Sequence, residues 1–170
     1  MRVLKTDPRA QAHQSKLPAP APLPHVSSKA LAKVAHRLNP PTHCDCCGAP
    51  GVKLVDNSEI YKRQYGDWPY AYLCGKCGAY VGLHPHTDLP LGTMADKATR
   101  KARQQKRQFL ALIASKFGGD RDAGYAWLAE KMGLDPKECH WGLFTLKQCE
   151  RAAQIVRTAQ GDTNTHQSEA

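Results

Sequence analysis

Two copies of one short cysteine motif constrain the folding of this chain more than any other feature of its sequence. Residues 44–48 and residues 74–78 each read C-x-x-C-G. Two thiolates at this spacing lie on one tight turn, because the glycine after the second cysteine readily adopts the positive φ that such a turn favours. Two such turns close a tetrahedral four-sulfur site, which is the geometry of structural zinc. The predicted Zn²⁺ ligands are Cys44, Cys47, Cys74 and Cys77.

The remaining cysteines are expected to be free thiols. Only Cys44 and Cys47 reproduce the spacing of the second motif, so Cys46 is the extra residue of the first group. A disulfide framework, or a set of ordinary buried thiols, is the alternative interpretation, but the repeated motif favours zinc. Seven cysteines is an odd number, no signal peptide is visible, and no stretch is apolar enough to cross a bilayer. We therefore expect a cytoplasmic protein in which Cys139 and Cys149 stay reduced.

Positive charge is concentrated in two blocks of the chain. The sequence has 24 Lys and Arg against 15 Asp and Glu, a net charge of +9. Residues 1–41 and residues 94–117 each contain seven basic residues and one acidic residue, so each block carries a net charge of +6. Concentrated charge of this kind favours a polyanionic partner, most often nucleic acid. The alternative is a solvated surface helix and a solubilising tail.

Composition divides the chain into four parts with an α+β fold at their centre. Residues 1–41 are basic and rich in Pro and Ala, and they read as a disordered tail with a possible short helix over 29–38. Residues 42–92 are expected to form a small antiparallel, zinc-ribbon-like sheet. Residues 93–160 are helical and are expected to pack on the ribbon. Residues 161–170 are expected to be a disordered polar tail.

The alternation of apolar and polar residues predicts the strands, and helix-capping residues predict where the helices begin and end. Strands are predicted at 52–55, 60–61, 70–73 and 80–83. Ser27 or Ser28 is expected to cap the short N-terminal helix. Three longer helices are predicted over 93–117, over 121–132 and from 146 to Gly161, the first and third opening with the capping boxes Thr93-x-x-Asp96 and Thr145-x-x-Gln148.

The predicted helix over 93–117 carries most of the second basic block. Arg100, Arg103 and Arg107 follow one another at three- and four-residue steps, so they would form one ridge of like charge. Such a ridge is tolerated where phosphates neutralise it. The residues predicted to contact nucleic acid are Lys97, Arg100, Lys101, Arg103, Lys106 and Arg107.

Two further groups of residues have both a functional and a structural interpretation. His84, His86 and Asp88 could bind a second metal or act in acid–base chemistry, but they flank prolines and are more typical of a loop that docks the next helix. The aromatic residues around the second motif are typical of a ribbon core. They could instead stack on unpaired bases, and Tyr65 and Trp68 are the two expected to be most exposed.

The central and C-terminal parts resemble a zinc-finger-containing domain family found mainly in phages, prophages and proteobacteria. The residues that carry this resemblance are C-x-x-C-G at 44–48, Y-L-C-G-K-C-G-A-Y-V-G-L-H at 72–84, P-L-G-T-M-A at 90–95, Y-A-W-L at 125–128 and H-W-G-L-F at 140–144. The resemblance covers about residues 43–156. It implies the four cysteines as metal ligands, no catalytic residues, and a phage or bacterial cytoplasmic setting.

Three functions are consistent with these features. The first is a non-enzymatic protein that binds nucleic acid, DNA in preference to RNA, as a phage-encoded regulator. The second is an adaptor that contacts a host protein such as RNA polymerase or a nuclease through Trp127, Trp141 and Phe144. The third is a metal-dependent nuclease that uses the two histidines and the aspartate at 84–88.

Overall fold

The chain folds into two compact units, residues 1–96 and residues 97–170. The computed structural model describes residues 3–4 and 6–165, and the side chains of residues 6–161. The first unit contains small antiparallel sheets and the four predicted cysteine ligands, and the second contains helices. The α+β fold class predicted from the sequence is therefore confirmed. None of the helices that the structure describes is both long and apolar enough to span a bilayer.

A three-stranded antiparallel sheet forms the centre of the first unit. Its strands are β5 (Lys53–Asp56), β6 (Tyr70–Leu73) and β7 (Tyr80–Gly82), in the spatial order β5-β6-β7. The predicted strand over 60–61 is wrong, because these residues belong to a one-turn helix, α2 (Ser58–Tyr61). The Oδ1 atom of Asp56 accepts the amide N–H of Ser58 (2.8 Å). This side-chain bond turns the chain into a helix as soon as β5 ends.

The N-terminal part of the chain is folded, in contrast to the disordered tail expected for residues 1–41. Its elements are β1 (Val3–Leu4), a 3-10 helix (Pro8–Gln11), β2 (Lys16–Leu17), β3 (Val26–Ser27), α1 (Ser28–Lys33) and β4 (Arg37–Leu38). Strand β1 pairs with β4, and β2 pairs with β3. Ser27 caps α1 by accepting the Ala30 N–H (3.2 Å), but the helix is shorter than the predicted 29–38.

Burial of apolar side chains explains why this N-terminal segment is ordered. Val26 and Leu31 are 0% exposed, and both belong to one hydrophobic cluster with Cys44, Cys74 and Tyr72. The proline-rich stretch thus completes the core of the first unit. By its composition alone, the segment has too few apolar residues to fold by itself. In the structure these residues pack on apolar side chains from distant parts of the chain.

Arg9 links the N-terminal segment to the loop after β7 by hydrogen bonds. The guanidinium group of Arg9 donates two hydrogen bonds to the carboxylate of Asp88 (2.8 and 3.0 Å) and two to the carboxylate of Asp7 (2.9 and 3.1 Å). Both carboxylates are buried. Bidentate pairing of this kind is the geometry in which arginine binds carboxylates most strongly, and it satisfies the two buried charges.

The second unit, called the helical unit below, contains four helices: α3 (Lys97–Arg103), α4 (Lys106–Lys116), α5 (Arg121–Met132) and α6 (Leu146–Thr165). The predicted continuous helix over 93–117 is therefore wrong at two points. It begins later, because Ala95 pairs with Tyr80 at the edge of the sheet. It is also interrupted, because Gln104 and Gln105 donate to carbonyl groups three residues earlier (3.2 and 3.1 Å). Such i→i+3 bonds tighten the end of a helix.

Local capping signals place α5 and α6 as the sequence predicts, except at the end of α6. Helix α5 ends at Gly133, whose φ is +67°. Thr145 and Gln148 form the predicted capping box at the start of α6 (2.9 and 3.3 Å). The helix continues past Gly161 to Thr165, so residues 161–165 are not a tail, and residues 166–170 lie outside the described part of the chain. The largest fully buried side chains in the core of this unit are Phe109, Leu112, Ile113, Leu128, Trp141, Phe144 and Val156.

Candidate metal centre

The two cysteine motifs fold into turns with the same backbone geometry. In the first, the Gly48 N–H donates to the Cys44 carbonyl (2.9 Å), and the Cys44 N–H donates to the Ala49 carbonyl (2.9 Å). The corresponding bonds in residues 74–79 measure 2.9 and 2.8 Å. The glycine that closes each turn has a φ of +69°, a conformation that side chains other than glycine rarely adopt. This requirement explains the glycine at the end of each motif.

These turns bring the four predicted ligand sulfurs together. The Sγ atoms of Cys44, Cys47, Cys74 and Cys77 all lie within 4.8 Å of one another. The Cys44 and Cys77 sulfurs are 3.5 Å apart, and the Cys47 and Cys74 sulfurs are 3.7 Å apart. A tetrahedron with Zn–S bonds of about 2.3 Å has S–S edges of about 3.8 Å. The cluster therefore fits Zn²⁺ with four protein ligands and no position for a substrate.

Backbone amides at the turns stabilise the thiolate form that binds metal. The Cys46 N–H donates to the Cys44 sulfur (3.4 Å). At the second turn, the amides of Cys77 and Lys76 direct their N–H groups at Cys74 and lower the pKa of this thiol to about 7. Burial has the opposite effect at the first turn and raises the pKa of the Cys44 thiol. Cysteine binds zinc as the thiolate, so the lowered pKa of Cys74 favours metal binding near neutral pH at that ligand. When bound, Zn²⁺ would link two turns that are far apart in sequence.

The extra cysteine of the first motif lies outside the sulfur cluster and contacts another part of the unit. The Cys46 thiol donates to the carbonyl oxygen of Met94 (3.4 Å), and the carboxylate of Asp45 accepts the Met94 N–H (2.8 Å). Burial raises the pKa of Cys46. The two inner residues of the motif thus hold residues 92–96 against the metal turn. The motif spacing alone predicts Cys46 as the extra thiol, but it does not predict the role of Asp45, because nothing in a single motif shows which distant segment this residue bonds.

The six basic residues predicted to bind nucleic acid fall into two groups. Lys97, Lys101 and Arg107 are exposed, whereas Arg100, Arg103 and Lys106 are partly buried. The Arg103 guanidinium donates twice to the carbonyl oxygen of Phe144 (3.2 and 2.9 Å) and so holds α3 against the segment before α6. Burial, with Arg121 nearby, lowers the pKa of Lys106. The expected ridge of Arg100, Arg103 and Arg107 on one helix does not form, because the helix is interrupted between the second and third of these residues.

The histidines and aspartate at 84–88 have structural contacts. The carboxylate of Asp88 is bound by Arg9, and burial lowers the pKa of His84. The His86 ring lies 4.9 Å from the Trp68 ring, whose Nε1 donates to the Thr87 carbonyl (3.0 Å). Among the residues that the structure describes, the four cysteines are the group of His, Cys, Asp and Glu side chains placed to hold a metal. The loop therefore docks the N-terminal segment and Trp68.

Comparison with known proteins agrees with this site. A family model described as a zinc-finger-containing domain matches residues 40–159, which include both cysteine motifs and most of the helical unit. Searches of curated proteins and of solved structures each found no match. The family match covers well over half of the chain, and its name agrees with the four-sulfur cluster. The chain belongs to the zinc-finger-containing domain family.

Proposed function

We propose that the protein binds nucleic acid, DNA in the first instance, without catalysing a reaction. The observation that carries the proposal is a run of charge in the helical unit: residues 97–119 contain seven Lys or Arg and no Asp or Glu. Lys97, Lys101 and Arg107 of this run are exposed. A helical surface with exposed cations and no acidic neighbours in its own segment is the electrostatic footprint expected for phosphate binding.

The arrangement of these cations supports the same proposal. Lys97 and Lys101 are four residues apart in α3, so their side chains leave the same face of the helix. Arg107 lies in the first turn of α4, directly after the interruption. Arg157 of α6 is exposed and donates to the side chain of Gln105 (3.3 Å), which brings a further guanidinium to the interruption. The Arg157 guanidinium thus lies beside the residues that separate the cations of α3 from Arg107 of α4.

The zinc centre supports binding and not catalysis. Four protein sulfurs would complete a tetrahedral coordination shell, which would leave a bound metal no position for the water that a hydrolytic site needs. The loop at 84–88, which the nuclease hypothesis would use, has its carboxylate bound to Arg9. The sequence resemblance adds a phage or bacterial setting, in which we infer a regulatory role.

A salt titration of DNA binding tests the proposal. We expect the affinity for a short DNA duplex to fall steeply with salt. If the three exposed cations contact phosphates, replacing Lys97, Lys101 and Arg107 with Ala should make the slope of log K against log salt shallower by about 2–3. In the matched control, Ala replaces Lys137, Lys147 and Arg151, which are also exposed in the helical unit. The control therefore removes the same three positive charges. Absence of binding at low salt, or an equal loss in the two variants, would contradict the proposal.

A second candidate function, an adaptor for a host protein, has its own structural observation. Trp141 and Phe144 are 1% and 0% exposed, so they are core residues and not a contact surface. Trp127 instead lines a groove of about 500 Å³ in the helical unit. The lining residues are Lys116, Trp127, Lys131, Gln154, Ile155, Thr158 and Ala159, with no acidic side chain. A partner segment that combines apolar and acidic side chains, on RNA polymerase or a nuclease of the host, would complement this groove.

The adaptor candidate is tested by comparing captured proteins between variants. A host protein captured by the tagged chain from a nuclease-treated bacterial lysate should be lost when Lys116 and Lys131 are both replaced by Glu. It should be retained when the exposed Lys137 and Lys147 are replaced in the same way. Capture that is insensitive to the groove substitutions would contradict the candidate.

A further inference from the structure

The loop between α2 and β6 carries exposed aromatic side chains, and hydrogen bonds hold its backbone in place. Asn57, only 8% exposed, holds the loop closed: its amide NH₂ donates to the Tyr65 carbonyl (2.9 Å) and its amide oxygen accepts the Tyr65 N–H (3.1 Å). The backbone N–H of Asn57 donates to the Pro69 carbonyl (2.7 Å). One buried side chain thus fixes the backbone position of Tyr65.

The loop also holds a residue in an unfavourable backbone conformation. Lys62 has a φ of +66°, which non-glycine residues rarely adopt, and its N–H donates to the Ser58 carbonyl (2.8 Å) at the end of α2. Such a conformation persists where the surrounding contacts determine it. Its consequence here is a sharp change of direction after α2, directly before Arg63 and Tyr65.

Three tyrosine rings and one guanidinium group form a cluster at this loop. The Tyr61 ring lies edge-to-face with Tyr65 (5.3 Å, 85°) and with Tyr80 of β7 (5.7 Å, 88°). The Arg63 Cζ atom lies 4.4 Å from the centre of the Tyr65 ring. Tyr61 and Tyr65 nevertheless remain 43% and 45% exposed. Large aromatic side chains that are fixed in place and still this exposed are more typical of a binding surface than of a core.

We propose that Tyr61, Arg63 and Tyr65 form a stacking site for an unpaired base of single-stranded nucleic acid. Tyrosine rings and the plane of an arginine guanidinium are the surfaces on which proteins stack unpaired bases, and every base has a flat face to offer. The bases of a duplex are stacked on one another and cannot reach such a site. This inference rests on the proposed nucleic-acid binding and specifies its ligand as a strand with accessible bases.

The charges of the loop separate this site from the basic helices. Over residues 59–67, which include α2, Lys62 and Arg63 are balanced by Glu59 and Asp67, so this segment has no net charge to attract phosphates. Its contribution should therefore come from stacking and depend little on salt, whereas binding by the α3 and α4 cations should depend strongly on salt. The two contributions can be measured apart in the same protein.

The test compares a short oligothymidylate with an abasic strand of the same length, which has the same phosphates but no bases. We expect the full-length protein to bind the oligothymidylate roughly tenfold more tightly or better. Replacing Tyr65 with Leu, or Arg63 with Lys, should remove most of this preference and leave the affinity for the abasic strand unchanged. Leu91→Ala is the matched control, because Leu91 is 55% exposed in the same unit and is not aromatic.

The outcomes distinguish this inference from the proposed function. If the protein binds both strands equally, or if the Tyr65 and Arg63 variants keep the full preference, the stacking site is wrong and phosphate binding stands. If neither strand nor a duplex binds at low salt, the proposed function is wrong and the stacking site is wrong with it. Loss of affinity for both strands on replacing Lys97, Lys101 and Arg107, with the preference retained, supports both.

Discussion

Replacement of Gly124 by Ala tests how closely α4 and α5 approach each other. Gly124 lies in the first half of α5, and a Cβ atom placed on it would be 2.5 Å from the Cγ1 atom and 2.8 Å from the Cδ1 atom of Ile113 in α4. Ile113 is 2% exposed, so its side chain is enclosed by the core and has little room to move. The substitution therefore forces the two helices or the isoleucine side chain to shift.

Two opposing effects set the size of the change. Overpacking a core usually costs about 1–3 kcal/mol. Alanine in the middle of a helix is more favourable than glycine by about 0.5–1 kcal/mol. We expect a net destabilisation of about 1–2 kcal/mol. In an Ile113→Ala background the two close atoms are absent and the remaining Cβ contact is an ordinary 3.6 Å, so Gly124→Ala should then stabilise the protein.

Urea unfolding followed by far-ultraviolet circular dichroism measures this double-mutant cycle. Gly161→Ala is the matched control, because Gly161 is also helical but a Cβ atom there would meet nothing within 4 Å. This control should stabilise α6 by up to about 1 kcal/mol. Stabilisation by Gly124→Ala in the native background, of the size seen for Gly161→Ala, would refute the close packing of α4 on α5.

Three further predictions concern single contacts. Arg103→Met should lower the free energy of unfolding by about 1–2 kcal/mol in urea titrations, because a carbonyl loses two charge-assisted bonds, whereas Lys101→Met should change it by less than about 0.5 kcal/mol. The Arg9 hydrogen bond lowers the pKa of the Asp7 carboxyl below its ordinary value of 3.8. The ionised carboxylate therefore stabilises the fold at pH values above 3.8, and this stabilisation is lost as the pH falls through the lowered pKa. Thermal unfolding against pH should show this loss in the native protein and a weaker one in Arg9→Met. Thr145→Ala should cost about 1 kcal/mol by removing a helix cap, measured by thermal unfolding, and no change would contradict the capping box.

The features that the sequence predicts correctly are the ones encoded within a few residues. The metal turns need only a cysteine pair and a glycine, and α5 ends where Gly133 supplies a left-handed conformation. The start of α6 depends on Thr145 and a glutamine three residues later. In each case the residues that decide the structure are neighbours in the chain, so periodicity and spacing are sufficient to find them.

The features that the sequence does not predict depend on contacts between distant residues. Arg9 and Asp88 are 79 positions apart, and neither residue indicates the other in the sequence. Ala102 and Phe109 are seven residues apart, as on one continuous helix, so the spacing of the apolar residues does not reveal the interruption between α3 and α4. The exposed tyrosine cluster likewise depends on the buried side chain of Asn57, which reads in the sequence as an ordinary turn residue.

The zinc content of the purified, reduced protein tests the account most directly. Elemental analysis should find one Zn²⁺ per chain, retained in Cys46→Ser, because this thiol lies outside the sulfur cluster, and lost or greatly weakened in Cys47→Ser, which removes a ligand. Removal of the metal by a strong chelator should lower the thermal midpoint of the sheet-containing unit. A protein without stoichiometric zinc, or one whose fold and thermal midpoint are unchanged after chelation, would contradict the account.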